Sequence, residues 1–297
     1  MGELAALGAA LVWAFASAAF TALVARASPL WVSGLRLASA SAVIALLAIL
    51  TGAVTHFGEI PPLRLAAVAG SGVLAYAVGD TWYMRVLGRI GMSRAFPASM
   101  AMFIALTVAG GVVVLGEPFT PGLPVGGAAI AVGIWLLARE SGRATAGAGA
   151  AGEAAGSVAA FVELVGVAAT WAAATLILAW GQEGLNALEV GLLRTPTAAV
   201  AVLAVAALAA RDGFVLLRSQ RRVLLGIGAA GALGTAGGTL LYIFAVAEAG
   251  AARTAVLSAT SPVMALPVAL LVLREPITAG RVAGTLACVA GILLVVV

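Results

Sequence analysis

An aspartate, Asp80, stands inside a long apolar run, in the stretch Val78-Gly79-Asp80-Thr81-Trp82-Tyr83-Met84-Arg85. An ionised carboxylate in hydrocarbon costs several kcal/mol unless it is paired, hydrated or protonated, so such a residue marks either a site or a buried ion pair. Arg85 lies about 140° away around an α-helix, which is poor for a pair within one helix, so a partner from another segment is expected. Facing a cavity, Asp80 would bind a substrate amine or a proton. The structural alternative is a buried pair.

Arg36 and Arg194 also lie early in apolar runs. Their long stems allow anchoring at a helix end, while their guanidinium groups suit a substrate carboxylate or phosphate. The aromatic candidates for a cavity wall are Trp13, Trp171, Tyr76, Trp82, Tyr83 and Tyr242, which can stack on a planar substrate or cation or simply pack against a neighbouring helix. Trp31 and Trp180 fit the aromatic belt at a membrane surface, Glu163 reads as reaching the headgroups, and Arg94 and Arg253 read as anchors. The single Cys288 rules out an intrachain disulfide and a Cys-based metal site, and the lone His56 reads as a solvated loop residue. No catalytic residue, metal or cofactor is expected.

The elements that must position these residues belong in a bilayer. The 297 residues are 63% hydrophobic and only 9% charged, with a mean hydropathy of +1.15, far outside the globular range. All sixteen basic residues are arginine, scattered between apolar runs as in loops at a membrane face, which argues against nucleic-acid binding. The chain enters its first apolar run directly after Met-Gly-Glu, without a basic leader, so that run reads as a retained span rather than a signal peptide.

A spanning helix needs about 20 mostly apolar residues. Ten such runs separate at Gly, Pro and charge: 4–25, 31–51, 65–87, 93–116 and 121–139, then 158–180, 187–210, 223–247, 252–273 and 280–297. The small-residue stretch 140–157 between them reads as a flexible linker. Runs of this length are helices, because unpaired backbone groups cost too much in lipid and barrel strands need only about 10 residues.

The two halves repeat. At an offset of 158, Trp13 meets Trp171, Arg36 meets Arg194 and Glu117-Pro118 meets Glu275-Pro276; at 159, Gly79 meets Gly238, Tyr83 meets Tyr242 and Gly91 meets Gly250. Asp80 has no acidic twin, since Thr239 stands in its place. An odd number of spans in each unit turns the second upside down, an arrangement characteristic of secondary transporters, with the substrate site near the midplane. The expected fold class is therefore all-α integral membrane, ten transmembrane helices as two inverted five-helix repeats, 1–139 and 158–297, joined by the linker. Pro97, Pro196, Pro262 and Pro267 fall inside spans and predict kinks that can hinge.

Each unit thus has a Trp in its first span, an Arg early in its second, an aromatic near the end of its third and an acidic residue just after its fourth. In this the chain resembles the EamA-type branch of the drug/metabolite transporter superfamily. The residues that carry the resemblance are Trp13, Arg36, Tyr83, Gly91 and Gly116-Glu117-Pro118, repeated as Trp171, Arg194, Tyr242, Gly250 and Arg274-Glu275-Pro276. It implies a ten-helix basket around a central cavity, set in the inner or plasma membrane, that exports or exchanges a small molecule. The implied partners are that substrate, the lipid bilayer and a coupling proton or counter-substrate, with the chain as a monomer or weak homodimer. The family pattern has a Pro in the middle of each fourth span. Pro262 fits it, whereas the first half has Ile104 there and places Pro97 nearer the helix start.

The expected function is secondary active transport of a small organic metabolite, an amino acid being one candidate, by alternating access. The alternatives are a multidrug or organic-cation exporter of the same fold and an integral membrane enzyme. An enzyme would need His, Asp or Glu clustered near one interface, and the chain offers one His and dispersed acids. Thirteen arginines fall toward one face of this topology and only Arg64, Arg194 and Arg253 toward the other. The positive-inside rule then puts both termini outside, whereas the resemblance implies both in the cytoplasm.

Overall fold

A computed structural model of the chain describes residues 1–24, 26–53, 57–90, 92–144, 158–209, 220–264 and 278–296, without the side chains of some residues inside these helices. Among the described residues every regular element is helical and none is a strand. The first half holds α1 (Gly2–Val24), α2 (Pro29–Thr51), α3 (Pro62–Gly72), a π-helical segment π1 (Val73–Asp80), α4 (Thr81–Ile90), α5 (Met92–Leu115) and α6 (Gly122–Ala144). The second holds α7 (Val158–Gly181), α8 (Ala187–Ala209), α9 (Arg221–Ala230), a second π-helical segment π2 (Gly231–Ala236), α10 (Gly237–Ser258), α11 (Ser261–Met264) and α12 (Ala279–Val296).

Six stretches among the described residues are long and apolar enough to cross a membrane: Pro29–Thr51, Pro62–Tyr83, Ala98–Leu115, Val162–Gly181, Ala187–Ala209 and Arg221–Ser258. Shorter apolar stretches lie in α1, α6 and α12. This is a multi-pass membrane protein. Of the run expected at 252–273, residues beyond Met264 lie outside the described residues, as do His56, Pro267 and Glu275-Pro276.

Local sequence explains where the helices begin and end. Pro29 and Pro62 open α2 and α3, where a missing N–H leaves nothing unpaired. Gly52, at φ 65°, closes α2 in the left-handed conformation. Gly116, at φ 68°, does the same for α5, and the N–H of Glu117 then donates to the Gly111 carbonyl at 2.9 Å. At the start of α8, Asn186 Oδ1 accepts the N–H groups of Leu188 and Glu189, both at 3.0 Å, and the buried Glu189 carboxylate accepts the Asn186 N–H at 3.0 Å. This reciprocal capping box gives the carboxylate a place inside the protein.

Gly250, at φ 83° and ψ 167°, breaks α10 into two pieces. The Glu117 carboxylate, from the other half of the chain, accepts the N–H groups of Ala251 at 2.6 Å and Ala252 at 3.0 Å and so caps the second piece. Beside it, Arg253 pairs with Glu3 of α1 at 3.1 Å.

Helices of one half pack on helices of the other: α1 on α10, α2 on α8, α5 on α7, α6 on α12, and α3 on both α7 and α8. The α6–α12 seam is lined by small residues, Gly126 against the Gly291 carbonyl and Gly133 against the Gly284 carbonyl and Cys288, which lets the two backbones close together. Cys288 donates its thiol to the Ile130 carbonyl at 3.6 Å.

One aromatic departs from expectation. Trp31 is not a belt residue, because α2 turns it inward against Val32, Ala206, Val223 and Ile227 and leaves it 5% exposed. Trp180 is exposed and carries the Arg64 guanidinium 5.7 Å above its ring. α5 and α11 run through Pro97 and Pro262, whose side chains are not among those described, and α8 continues through Pro196.

Candidate functional site

The site begins with a change of helical pitch. In π1 the wider turn interrupts the 3.6-residue repeat, and one extra residue rotates the downstream helix by about 100° relative to an uninterrupted α-helix. Such turns occur often at functional positions. Asp80 is the last residue of π1, Tyr76 lies within it, and Tyr83 comes one turn later in α4.

Asp80 is held from two other helices. Its Oδ2 accepts a hydrogen bond from Arg36 Nη2 of α2 at 3.0 Å, and its Oδ1 accepts one from Trp171 Nε1 of α7 at 3.1 Å. Arg36 Nη2 also lies 3.5 Å from Ser33 Oγ. The partner expected from another segment is thus Arg36. The Asp80 side chain stays 24% exposed and that of Arg36 17%, so the pair is partly accessible.

Glycine makes this convergence possible. A Cβ on Gly79 would stand 2.7 Å from Trp171 Nε1, and the indole of Trp13 crowds Gly238 in the same way. Gly72 lies against the Arg194 carbonyl and Gly231 against the Arg36 carbonyl. In each case the glycine belongs to one half of the chain and the side chain or backbone it admits belongs to the other.

The second charged group is Arg194 of α8. It is 3% exposed, its guanidinium sits 5.1 Å from the centre of the Tyr76 ring, and its Nε has no hydrogen-bond partner among the described residues. It lies within electrostatic reach of Asp80 and Tyr242. The Tyr76 hydroxyl shares a 3.3 Å hydrogen bond with Thr239 Oγ1, and the Tyr242 hydroxyl a 2.8 Å bond with Thr175 Oγ1. Aromatic rings form the remaining surfaces: Trp13 on Tyr242 with centroids 5.4 Å apart, Tyr83 on Trp171 at 5.1 Å, and Phe103 edge-on to Trp171 at 6.4 Å.

Of the residues singled out from sequence, Asp80, Arg36, Arg194, Tyr76, Tyr83 and Trp171 come together, with Trp13 and Tyr242 tilted against each other beside them. Trp82 goes elsewhere: its ring seats on Gly166 of α7 among Val86, Ala95, Leu164 and Val167. The anchor reading of Arg36 and Arg194 is overturned, since the first is engaged by Asp80 and a 3% exposed Arg194 cannot reach headgroups. Arg253 is paired with Glu3, the Arg94 side chain is outside those described, and Glu163 is half-buried in α7. Thr175 and Phe103 were not singled out from sequence. Glu117-Pro118 reads there as a helix-ending element at the interface, whereas its carboxylate caps the start of a helix in the other half, and Thr239, which stands opposite Asp80 in the count, turns out to bond Tyr76. Among the described residues no three His, Cys, Asp or Glu side chains gather to hold a metal ion. The arrangement gathers one carboxylate, two guanidinium groups and aromatic faces from both halves of the chain.

Comparison with known proteins fits this geometry. The family model described as the EamA-like transporter family matches twice, over residues 1–139 and 159–297. No curated protein matches the chain. A solved crystal structure of a protein 17% identical in sequence superposes with a TM-score of 0.77, covering 100% of this chain and 98% of that one. At that identity the likeness is one of fold.

Proposed function

The chain belongs to the EamA-like transporter family, and on that premise we propose that it is a secondary active transporter moving a small organic metabolite across the cell membrane by alternating access. A small-molecule substrate and a membrane setting come with the family. The mechanism, the direction and the substrate are our reading. The observation that carries it is the junction at Asp80, where three helices drawn from both halves meet on one partly accessible carboxylate inside apolar surroundings. An intramembrane ionisable residue facing an opening is the usual mark of a substrate or ion path.

The machine we envisage is ten helices as two inverted repeats, 1–139 and 158–297. Its support is a packing pattern in which contacts come in mirror pairs. α1 against α10 matches α7 against π1 and α4, α2 against π2 matches α8 against π1, and the α2–α8 and α6–α12 seams each match themselves. A two-fold axis in the membrane plane produces such pairs, and rocking one repeat against the other would open the junction to each side in turn. Pro97 and Pro262 are the hinge candidates. Asp80 and Arg36 supply charge at the midpoint, Arg194 a second cation, and Trp13, Trp171, Tyr76, Tyr83 and Tyr242 the walls, while Trp82 serves packing.

Export or exchange of an amino acid, coupled to a proton or a counter-substrate, is the first case to test. Two guanidinium groups against one carboxylate argue against the organic-cation reading. Purified protein in liposomes should accumulate labelled amino acid under an imposed proton or solute gradient, and Asp80→Asn should abolish it. Liposomes that move no solute under any gradient overturn the proposal.

A further inference from the structure

We propose that Arg194 seats the negatively charged head of the substrate, so that the cargo is an organic monoanion, a carboxylate first of all, with an apolar or aromatic body. This rests on the transporter reading above and names its substrate class.

The charges at the junction do not balance. Arg36 and Asp80 satisfy each other at 3.0 Å, and the second oxygen of Asp80 is held by Trp171. The charge of Arg194 is left over, on a side chain 3% exposed whose Nε has no partner among the described residues and whose guanidinium lies against the face of Tyr76. A buried guanidinium without a carboxylate is costly to maintain, and its planar fork is shaped to take a carboxylate through two parallel hydrogen bonds.

The repeat shows what is missing. Arg36 receives the carboxylate of Asp80 from π1 of its own half, but the position corresponding to Asp80 in the second half is Thr239, whose hydroxyl is bonded to Tyr76 instead. A ligand carboxylate on Arg194 would supply to the second half what Asp80 supplies to the first. The Tyr76 hydroxyl, on the ring that Arg194 covers and bonded to Thr239 at 3.3 Å, is a further polar partner, and the half-buried Trp13 ring, tilted on Tyr242, offers an apolar surface for the body. A monoanion brings the three charged side chains to neutrality, a zwitterion leaves one positive charge, and an organic cation leaves two. The expected order of affinity mirrors that count.

The test uses the full chain in detergent and a matched set of probes: hydrocinnamate, phenylalanine, phenylalaninamide, phenethylamine and phenyl phosphate. Hydrocinnamate should raise the thermal unfolding temperature most, phenylalanine less, and the two amines lacking a carboxylate not at all. Arg194→Gln should weaken hydrocinnamate binding by about tenfold or more, and Arg194→Lys, which keeps the charge but loses the fork, should restore part of it. Should Arg194→Gln fail to fold, the ranking of probes on the wild-type protein decides by itself. The proposal is overturned if the amines bind as tightly as the carboxylates, if Arg194→Gln binds hydrocinnamate like wild type, or if no carboxylate produces a response. Tighter binding of phenyl phosphate than of hydrocinnamate also overturns it, in favour of a dianion. Transport separates the two readings. Counterflow of phenethylamine that is indifferent to Arg194→Gln sinks the anion seat and leaves the transporter. Binding of hydrocinnamate through Arg194 without movement of any probe does the reverse.

Discussion

Arg36 and Arg194 occupy the same place in the two halves of the chain, as do Trp13 and Trp171, and Tyr83 and Tyr242, yet only Arg36 has a carboxylate to hold among the described residues. On the first side the charged pair is closed by Trp171 and partly accessible. On the second, a buried guanidinium rests on the ring of Tyr76, with a threonine where the acid would be. The frame that brings the groups together is repeated down to the glycines that admit each indole, Gly79 for Trp171 and Gly238 for Trp13. The glycines and indoles recur in both halves, whereas Asp80 is matched by Thr239, and in the transporter we propose that difference sets the charge a ligand would meet.

The strongest way to break this comparison is to remove the acid. Asp80→Ala takes from Arg36 the carboxylate it holds at 3.0 Å, and we expect transport to fall by about a hundredfold or more and stability by about 3 kcal/mol. Counterflow and thermal unfolding read the two effects, and near-normal transport would show that the pair is only a brace. A sharper experiment moves the acid across. Asp80→Thr combined with Thr239→Asp should regain about 2 kcal/mol of what Asp80→Thr alone loses, because the carboxylate then faces Arg194. A double variant no more stable than the single one would mean that the two positions are not equivalent. The smallest effect belongs away from the junction. Glu117→Gln should cost about 1 kcal/mol by weakening the cap on Ala251 and Ala252, with substrate affinity unchanged. A change in affinity there would tie the cap to the site.

The long helices were legible in the sequence because hydrocarbon imposes a length and forbids unpaired backbone, so the apolar runs 31–51 and 187–210 fall within two residues of α2 and α8. The need of Asp80 for an outside partner was legible for the same reason. Which partner it takes was not. Spans that are apolar all round carry no stripe to say which face is buried, and so Trp31 could pass for a surface residue while α2 buries it against Ile227. The π turns were hidden as well, since Val73–Asp80 and Gly231–Ala236 look like ordinary helix in composition, and they shift the angular positions on which any face assignment depends. The repeated Glu-Pro reads from sequence as a helix-ending element, which marks the end of α5 but not the distant helix start at Ala251 that the Glu117 carboxylate holds.

The cap that Glu117 makes also has a consequence for how the protein is born. Its acceptor oxygens are synthesised long before the helix start they hold, because Ala251 comes 134 residues later. The start of the second piece of α10, just after Gly250, therefore draws its cap from a residue of the first half. The early half thus carries the acceptor that the late half meets. Two separately expressed halves carrying Glu117→Gln should reassemble in the membrane about fivefold less well than halves with Glu117 intact, a dependence that the continuous chain, with its ends already tethered, would feel less.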